Sequence, residues 1–221
     1  ANTSGILNTA IGGNALRSNT VGNENLAIGF SAMWLADSGS NNIVIGPEAG
    51  TNNKGSWNTI IGENAAKFNR SDGSVFIGSK AGYYNTTGAG NTFVGDNSGF
   101  ANQTGSQNTF LGYFTGNYTA SSGRNTFLGY SAGFFNSTGN GNTYTGHEAG
   151  INGGSGNGNT ALGAGALWWN TDRNYTVAIG DSALFNNGNG VTLTIHATQN
   201  TATGSKALFT NNTGYFNAAH G

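Results

Sequence analysis

Hydrophobic and polar positions along this chain follow one short phrase, Asn-Thr-x-Ile-Gly, in which an amide, a hydroxyl, two apolar side chains and a glycine succeed one another. Its glycine falls at Gly12, Gly29, Gly46, Gly62, Gly78, Gly95, Gly112, Gly129, Gly146, Gly163 and Gly180, at intervals of 17, 17, 16, 16 and then 17 residues six times over. The series resumes at Gly204 after 24 residues and at Gly221 after 17 more. The full unit reads roughly G-x-x-A-[GL]-x-x-N-x-T-G-x-x-N-T-x-[IL], and self-similarity at so short a fixed period is the mark of stacked coils. Asn108-Thr109-Phe110-Leu111-Gly112 predicts a short strand of β-favouring residues, closed by a glycine free to take positive φ. Ala132-Gly133 offers a second tight edge, and Asn136-Ser137-Thr138-Gly139 is turn chemistry that returns the chain to the next strand. Two short strands and two turns make one coil. The expected fold is therefore all-β, a parallel β-solenoid or β-roll of about thirteen 17-residue coils in a single repeat domain over 1–221. At about 4.8 Å per coil it forms a rod of roughly 60 Å.

Identical side chains then stand above one another. Asn8, Asn25, Asn42, Asn58, Asn91, Asn108, Asn125, Asn142 and Asn159 predict one amide ladder. Asn69, Asn85, Asn102, Asn136, Asn170 and Asn211 predict a second at the turn. Side chains alternate along a strand, so the Ile before each glycine and the residue before that Ile point opposite ways. One column is Ile11, Ile28, Ile45, Ile61, Ile77, Val94, Leu111, Leu128, Thr145, Leu162 and Ile179; the other is Ala10, Ala27, Val44, Ile60, Phe76, Phe93, Phe110, Phe127, Tyr144, Ala161 and Ala178. Both are apolar, as in a strand buried on both faces. With the Ile column in the core, an exposed ladder of four Phe is a patch few monomers tolerate, so three chains are expected to pack around a common axis. Trp34 after Ala27, and Trp168 and Trp169 after Ala161, read as compensating volume at that shared core.

Composition narrows the partners. Glycine is 39 of 221 residues, proline a single residue and charged residues 8%, yet 11% are aromatic, which favours a packed chain over a disordered one. A formal net charge of −1 without a Lys/Arg run excludes the footprint of a nucleic-acid or anionic-membrane binder. With no cysteine there is no disulfide and no thiolate chemistry, and no apolar run approaches the roughly 20 residues that span a bilayer. A chain opening at Ala1 without a signal-like segment reads as a processed product or a piece of something longer.

Catalytic chemistry finds little purchase. The carboxylates Glu24, Asp37, Glu48, Glu63, Asp72, Asp96, Glu148, Asp172 and Asp181 are scattered about one per coil, and a glycosidase needs two flanking one bond. His147-Glu148 lacks a second histidine at ligand spacing. No phosphate loop or nucleophile elbow is present. The expectation is thus no catalytic residue, metal or cofactor. Tyr83, Tyr84, Phe134, Phe135, Trp168 and Trp169 are the candidate ligand-binding residues, as stacking platforms for a cell-surface glycan, provided they face solvent. Asn69, Asn85, Asn102, Asn136 and Asn211 lie in N-x-[ST] sequons and are candidate glycosylation sites, although turn grammar writes such sequons unintentionally. The interruption near 187–200 holds Val191-Thr192-Leu193-Thr194-Ile195-His196, which alternates like a strand and is either a functional loop or a bulged coil.

The phrase N-T-x-I-G-x-x-A with its N-x-T-G return resembles the head repeats of trimeric autotransporter adhesins, and the longer period resembles bacteriophage tail-fibre-like and bacterial surface repeat proteins. That resemblance implies a homotrimeric fibre located outside the cell, on a virion or a cell surface. The leading expectation is a structural or adhesive fibre segment that self-associates as a trimer or a stacked filament, not an enzyme. A carbohydrate-binding module is the alternative. Ice binding is the third reading, from the regular column Thr92, Thr109, Thr126, Thr143 and Thr160. Against it, that column shares a strand face with the Ile column, which is expected to be core.

Overall fold

The computed structural model describes residues 3–190 and 196–221, which form two compact units, 1–108 and 109–221. Each is a parallel β-solenoid wound from coils of the predicted period. In the first unit the strands are β1 (Thr9–Ile11), β2 (Leu26–Ile28), β3 (Ile43–Ile45), β4 (Thr59–Ile61), β5 (Val75–Ile77) and β6 (Thr92–Val94). In the second they are β7 (Thr109–Leu111), β8 (Thr126–Leu128), β9 (Thr143–Thr145), β10 (Thr160–Leu162), β11 (Val177–Ile179), β12 (Asn186–Asn187), β13 (Thr201–Thr203), β14 (Thr210–Asn211) and β15 (Ala218–His220). Pairing is parallel and strictly in register, so that Thr59 meets Val75, Ile60 meets Phe76 and Ile61 meets Ile77. The 24-residue interval is absorbed without loss of register, with β11 pairing directly to β13 and β12 to β14. Val191–Ile195, expected to alternate as a strand, lie outside the described residues. Among the described residues no helix is long and apolar enough to cross a membrane.

Among the described residues one main strand forms per coil, and the predicted second strand is reduced to the short β12–β14 pair and isolated bridges at Asn152, Trp169 and Asn186. The reason is backbone conformation. After each strand-closing glycine, the second and fourth residues take positive φ, as at Ser31 (56°) and Met33 (52°) or Ser182 (53°) and Leu184 (49°). Two left-handed residues within five cannot run as an extended strand, and among the described residues none of the non-glycine residues that adopt this conformation is β-branched, as sterics require. The strand-closing glycine itself is obligatory: a Cβ on Gly29, at φ +133°, would lie 2.6 Å from the Gly46 carbonyl oxygen of the next coil.

The strand's central residue points inward. Ala27, Val44, Ile60, Phe76 and Phe93 of the first unit and Phe110, Phe127, Tyr144, Ala161 and Ala178 of the second are all buried. Volume compensation exists, but its partner is the residue six positions later, not a tryptophan. Ala27 is matched by Met33, Ala161 by Leu167 and Ala178 by Leu184, whereas Phe76, Phe93, Phe110, Phe127 and Tyr144 are matched by Gly82, Gly99, Gly116, Gly133 and Gly150. Trp34, Trp168 and Trp169 stand at the half-exposed edge of the coil, next to the position that fills the core.

Both asparagine columns are buried except at their ends, where Asn8 and Asn211 are half-buried, and they use their amides differently. In the strand column each Oδ1 accepts the backbone N–H of the equivalent residue one coil on: Asn42 from Asn58 at 3.0 Å, Asn142 from Asn159 at 2.8 Å. Each Nδ2 donates to a carbonyl of the return turn, Asn42 to Gly55 at 2.9 Å and Asn142 to Gly156 at 2.7 Å. The turn column is the true amide ladder, with Asn69 donating to Asn53 and Asn85 to Asn69 at 2.6 Å, and Asn187 donating to Asn170 at 2.7 Å. A third ladder runs along the opposite edge, where Ser40 and Ser56 accept the N–H of Asn23 and Ser40, and Asn140, Asn157 and Asn174 do the same in the second unit. These ladders satisfy backbone groups that one strand per coil leaves unpaired.

Candidate interaction surfaces

Two surfaces of the coil carry side chains that the fold does not need. The first is the outward strand face. Because the central residue points in, the Thr and Ile columns flanking it point out together. The expected core position of the Ile column is therefore corrected. Ile28, Ile45, Ile61, Ile77 and Val94 are half-buried at the surface of the first unit, while Leu111 and Leu162 of the second are 46% and 48% exposed. The Phe column is not exposed; it is the core. The hydrophobic argument for a partner thus passes to the Ile face, whose two columns contain no Asp, Glu, Lys or Arg. The Thr column goes with it, so that Thr109, Thr126 and Thr143 are exposed, and the objection that it was buried with the core falls.

The second surface is an aromatic edge at the fifth and sixth positions after the glycine. Tyr83 and Phe134 are half-buried, and Tyr84, Phe135 and Trp169 are exposed. Rings from successive coils stack on one another: Phe68 on Tyr84 and Tyr83 on Phe100 in the first unit, and Tyr118 on Phe135 and Trp168 on Phe185 in the second, with centroids 5.2–5.8 Å apart. In the first unit this edge bounds a shallow hollow shared by Glu48, Lys67, Lys80, Tyr83, Tyr84 and Phe100. Lys67 donates to Glu48, an interaction that raises the Lys67 pKa. In the second unit Phe135, Asn152, Gly154, Trp169 and Thr171 line a cleft of about 210 Å³. Asn152 carries no aromatic signal and is found only by its place in the column between Phe135 and Trp169.

The sequon asparagines do not form a decorated edge. Asn69, Asn85, Asn102 and Asn136 are fully buried, and each Nδ2 is spent inside the coil, that of Asn136 on Gly139 at 2.8 Å. Asn211 is half-buried and donates to Asn187 and Gly214. The nitrogen that a glycosyltransferase would modify already donates a hydrogen bond within the fold in each case.

Lysines pair with two of the carboxylates, Lys54 with Asp37 at 2.9 Å and Lys67 with Glu48. Glu63 and Asp96 are exposed, and the nearest partner of Asp96 is the Asn97 amide of the same turn. His147 stacks on Tyr130 at 5.0 Å with its Nδ1 3.6 Å from Glu148, and no group of three metal-ligating side chains exists among the described residues. Arg173 is the exception in burial. Its guanidinium lies beneath the expanded coil and donates to the Gly188 carbonyl at 3.1 Å, and desolvation lowers its pKa despite the opposing Asp172 charge. No family model matches the chain, and no curated protein or solved structure matches it.

Proposed function

We propose that this chain is a structural and adhesive segment of an extracellular fibre, on a virion or a cell surface, and is not an enzyme. Three copies pack their outward Thr/Ile strand faces around a common axis. The observation that carries the assembly is the outward face itself: an uncharged, in-register column of Ile, Val and Leu beside a column of Thr, Val and Ile, turned away from a core already filled by Phe and Met. Burying such β-branched ladders gains roughly 25 cal/mol per Å², and the interface needs no polar group to be desolvated except threonine hydroxyls. Sedimentation equilibrium of the intact chain is expected to return three times the monomer mass. Ile45→Glu with Ile61→Glu is expected to leave the β signal in circular dichroism intact and yield monomers, since neither side chain enters the core. A folded monomer for the unmodified chain overturns the assembly.

A second reading has one observation in its favour. Thr109, Thr126, Thr143 and Thr160 are stacked in register on the outward face, about 4.8 Å apart, which is the regular hydroxyl and methyl array that ice binding uses. Thermal hysteresis by a monomeric chain is the result that would favour it over the fibre; its absence closes it.

A further inference from the structure

We infer that the second unit carries a binding site for a neutral glycan on its aromatic edge, centred on Phe135, Asn152, Trp169 and Asn186. The site supplies the adhesive half of the fibre reading, and because it lies on a different part of the coil from the outward strand face, the two fail separately.

The four residues occupy one column. Asn152 bridges Trp169, and Trp169 bridges Asn186, in parallel register, and Phe135 precedes them by one 17-residue step. At about 4.8 Å per coil, Phe135 and Trp169 stand roughly 10 Å apart. Between them lies Asn152, so ring, amide, ring and amide alternate along the edge. Phe135 and Trp169 are 47% and 37% exposed, although the core beneath each is complete without them, Phe127 with Gly133 and Ala161 with Leu167. The amides of Asn152 and Asn186 make no hydrogen bond among the described residues, in a molecule whose other asparagine columns spend theirs on the next coil.

The cleft coincides with a local departure from the repeat. Where neighbouring coils carry Ser137 and Thr171, this one carries Gly154, which takes φ of +53° and packs so close to the next coil that a Cβ would lie 2.1 Å from the Thr171 carbonyl oxygen; its backbone lines the cleft beside Phe135 and Trp169. A pyranose presents an apolar face of C–H groups and a rim of hydroxyls. The first stacks on an aromatic ring, and the second requires donors and acceptors of the kind a free amide offers. None of the residues lining the cleft is charged, so the chemistry selects a neutral saccharide over a uronate or a sialylated one. The hollow of the first unit, flanked by Lys67 and Lys80, lacks this alternation.

The intact chain is titrated with short oligomers of glucose, N-acetylglucosamine and mannose, and with oligogalacturonate as the acidic counterpart, following tryptophan fluorescence and saturation transfer to the sugar protons. At least one neutral oligomer is expected to bind with submillimolar to millimolar affinity. Trp169→Ala and Phe135→Ala, each surface changes that leave the melting temperature nearly unaltered, are expected to weaken binding tenfold or more, and Asn152→Ala severalfold. Trp57→Ala, which removes an exposed ring of the first unit, is expected to leave binding unchanged. Binding is expected to persist in a chain made monomeric by Leu111→Glu and Leu128→Glu. The proposal is overturned if no neutral oligomer binds, if only the acidic one does, or if a folded Trp169→Ala chain binds as tightly as the parent.

Discussion

In the coil of β8 the inward position holds Phe127 and the turn facing it holds Gly133; in the coil of β11 the same two places hold Ala178 and Leu184. All four residues are buried in the same unit, and although the coil of β11 is the expanded one, the turn residue follows the inward residue by six positions in both. A Cβ on Gly133 would meet the Phe127 ring at 2.3 Å, which is the space the Leu184 side chain occupies beside the small Ala178. The backbone at the turn is left-handed in both, +60° at Gly133 and +49° at Leu184, so glycine is not there for its conformational freedom. It is there because the cross-section of a coil is a fixed volume shared by two positions. Where one side chain takes all of it, the other must vanish.

That comparison is broken hardest at Phe127. Phe127→Ala leaves a ring-sized void flanked by the stacked rings of Phe110 and Tyr144, each 4.8 Å away, and is expected to cost about 4 kcal/mol in chemical denaturation. Gly133→Leu alone drives a side chain into the ring and is expected to cost about 3 kcal/mol. Together they recreate the Ala178/Leu184 arrangement, and the double variant is expected to lie within about 1–2 kcal/mol of the parent, the residue being lost ring stacking and left-handed leucine. A double variant as unstable as the sum of the singles would show that the two positions do not share one space.

Much of this was legible from the chain. The period, the strand, the strand-closing glycine and both asparagine columns follow from turn chemistry and β propensity, which act locally and repeat. The inward side of the strand was not, because the Ile and Phe columns are both apolar and hydrophobicity alone cannot rank them. The deciding signal was nevertheless printed in the sequence, in the pairing of Ala27 with Met33, Ile60 with Ala66 and Phe93 with Gly99 six residues on. The Ile column has no such partner. Trp34 and Trp168 misled by one position: they vary beside the compensating residue, and one residue along this turn separates the core from the edge. Asn152 could not be singled out among so many asparagines until its amide was seen to stand apart from the ladders.

The ladders sharpen the comparison at smaller energies. Asn142→Ala strands the Asn159 N–H and the Gly156 carbonyl in the interior, and an expected cost of about 2–3 kcal/mol follows from burying them unpaired. Ser74 occupies the equivalent place in the first unit, and its Oγ accepts the N–H of Asn91 at 3.2 Å. Asn142→Ser keeps that acceptor and gives up the Gly156 bond, so it is expected to cost about half as much. Equal losses for serine and alanine would assign the ladder's worth to the return-turn carbonyl alone.

The smallest effect concerns the one Phe-type coil that carries a hydroxyl. Tyr144 stacks on Phe127 as a phenylalanine would, and its facing residue is Gly150, so the ring obeys the same volume rule. The turn column of this coil holds Gly153 where most others hold asparagine, and a Cβ there would lie 3.2 Å from the Tyr144 hydroxyl. The phenol thus takes the volume of the missing amide without its bonds, for the hydroxyl sits beside the Asn159 amide with no well-formed hydrogen bond. Burial pushes its pKa well above that of a free phenol. Below pH of about 10 both folded and unfolded states keep the proton and stability does not depend on it; above that the unfolded state ionises first, so stability falls as pH rises toward the folded pKa. Tyr144→Phe removes a buried, poorly paired hydroxyl and is expected to change stability at neutral pH by less than about 1 kcal/mol. At pH of about 11 the variant is expected to outlast the parent in thermal melts, by the ionisation that only the parent's unfolded state gains. Equal alkaline losses in both chains would mean that the hydroxyl is hydrated or paired in the coil.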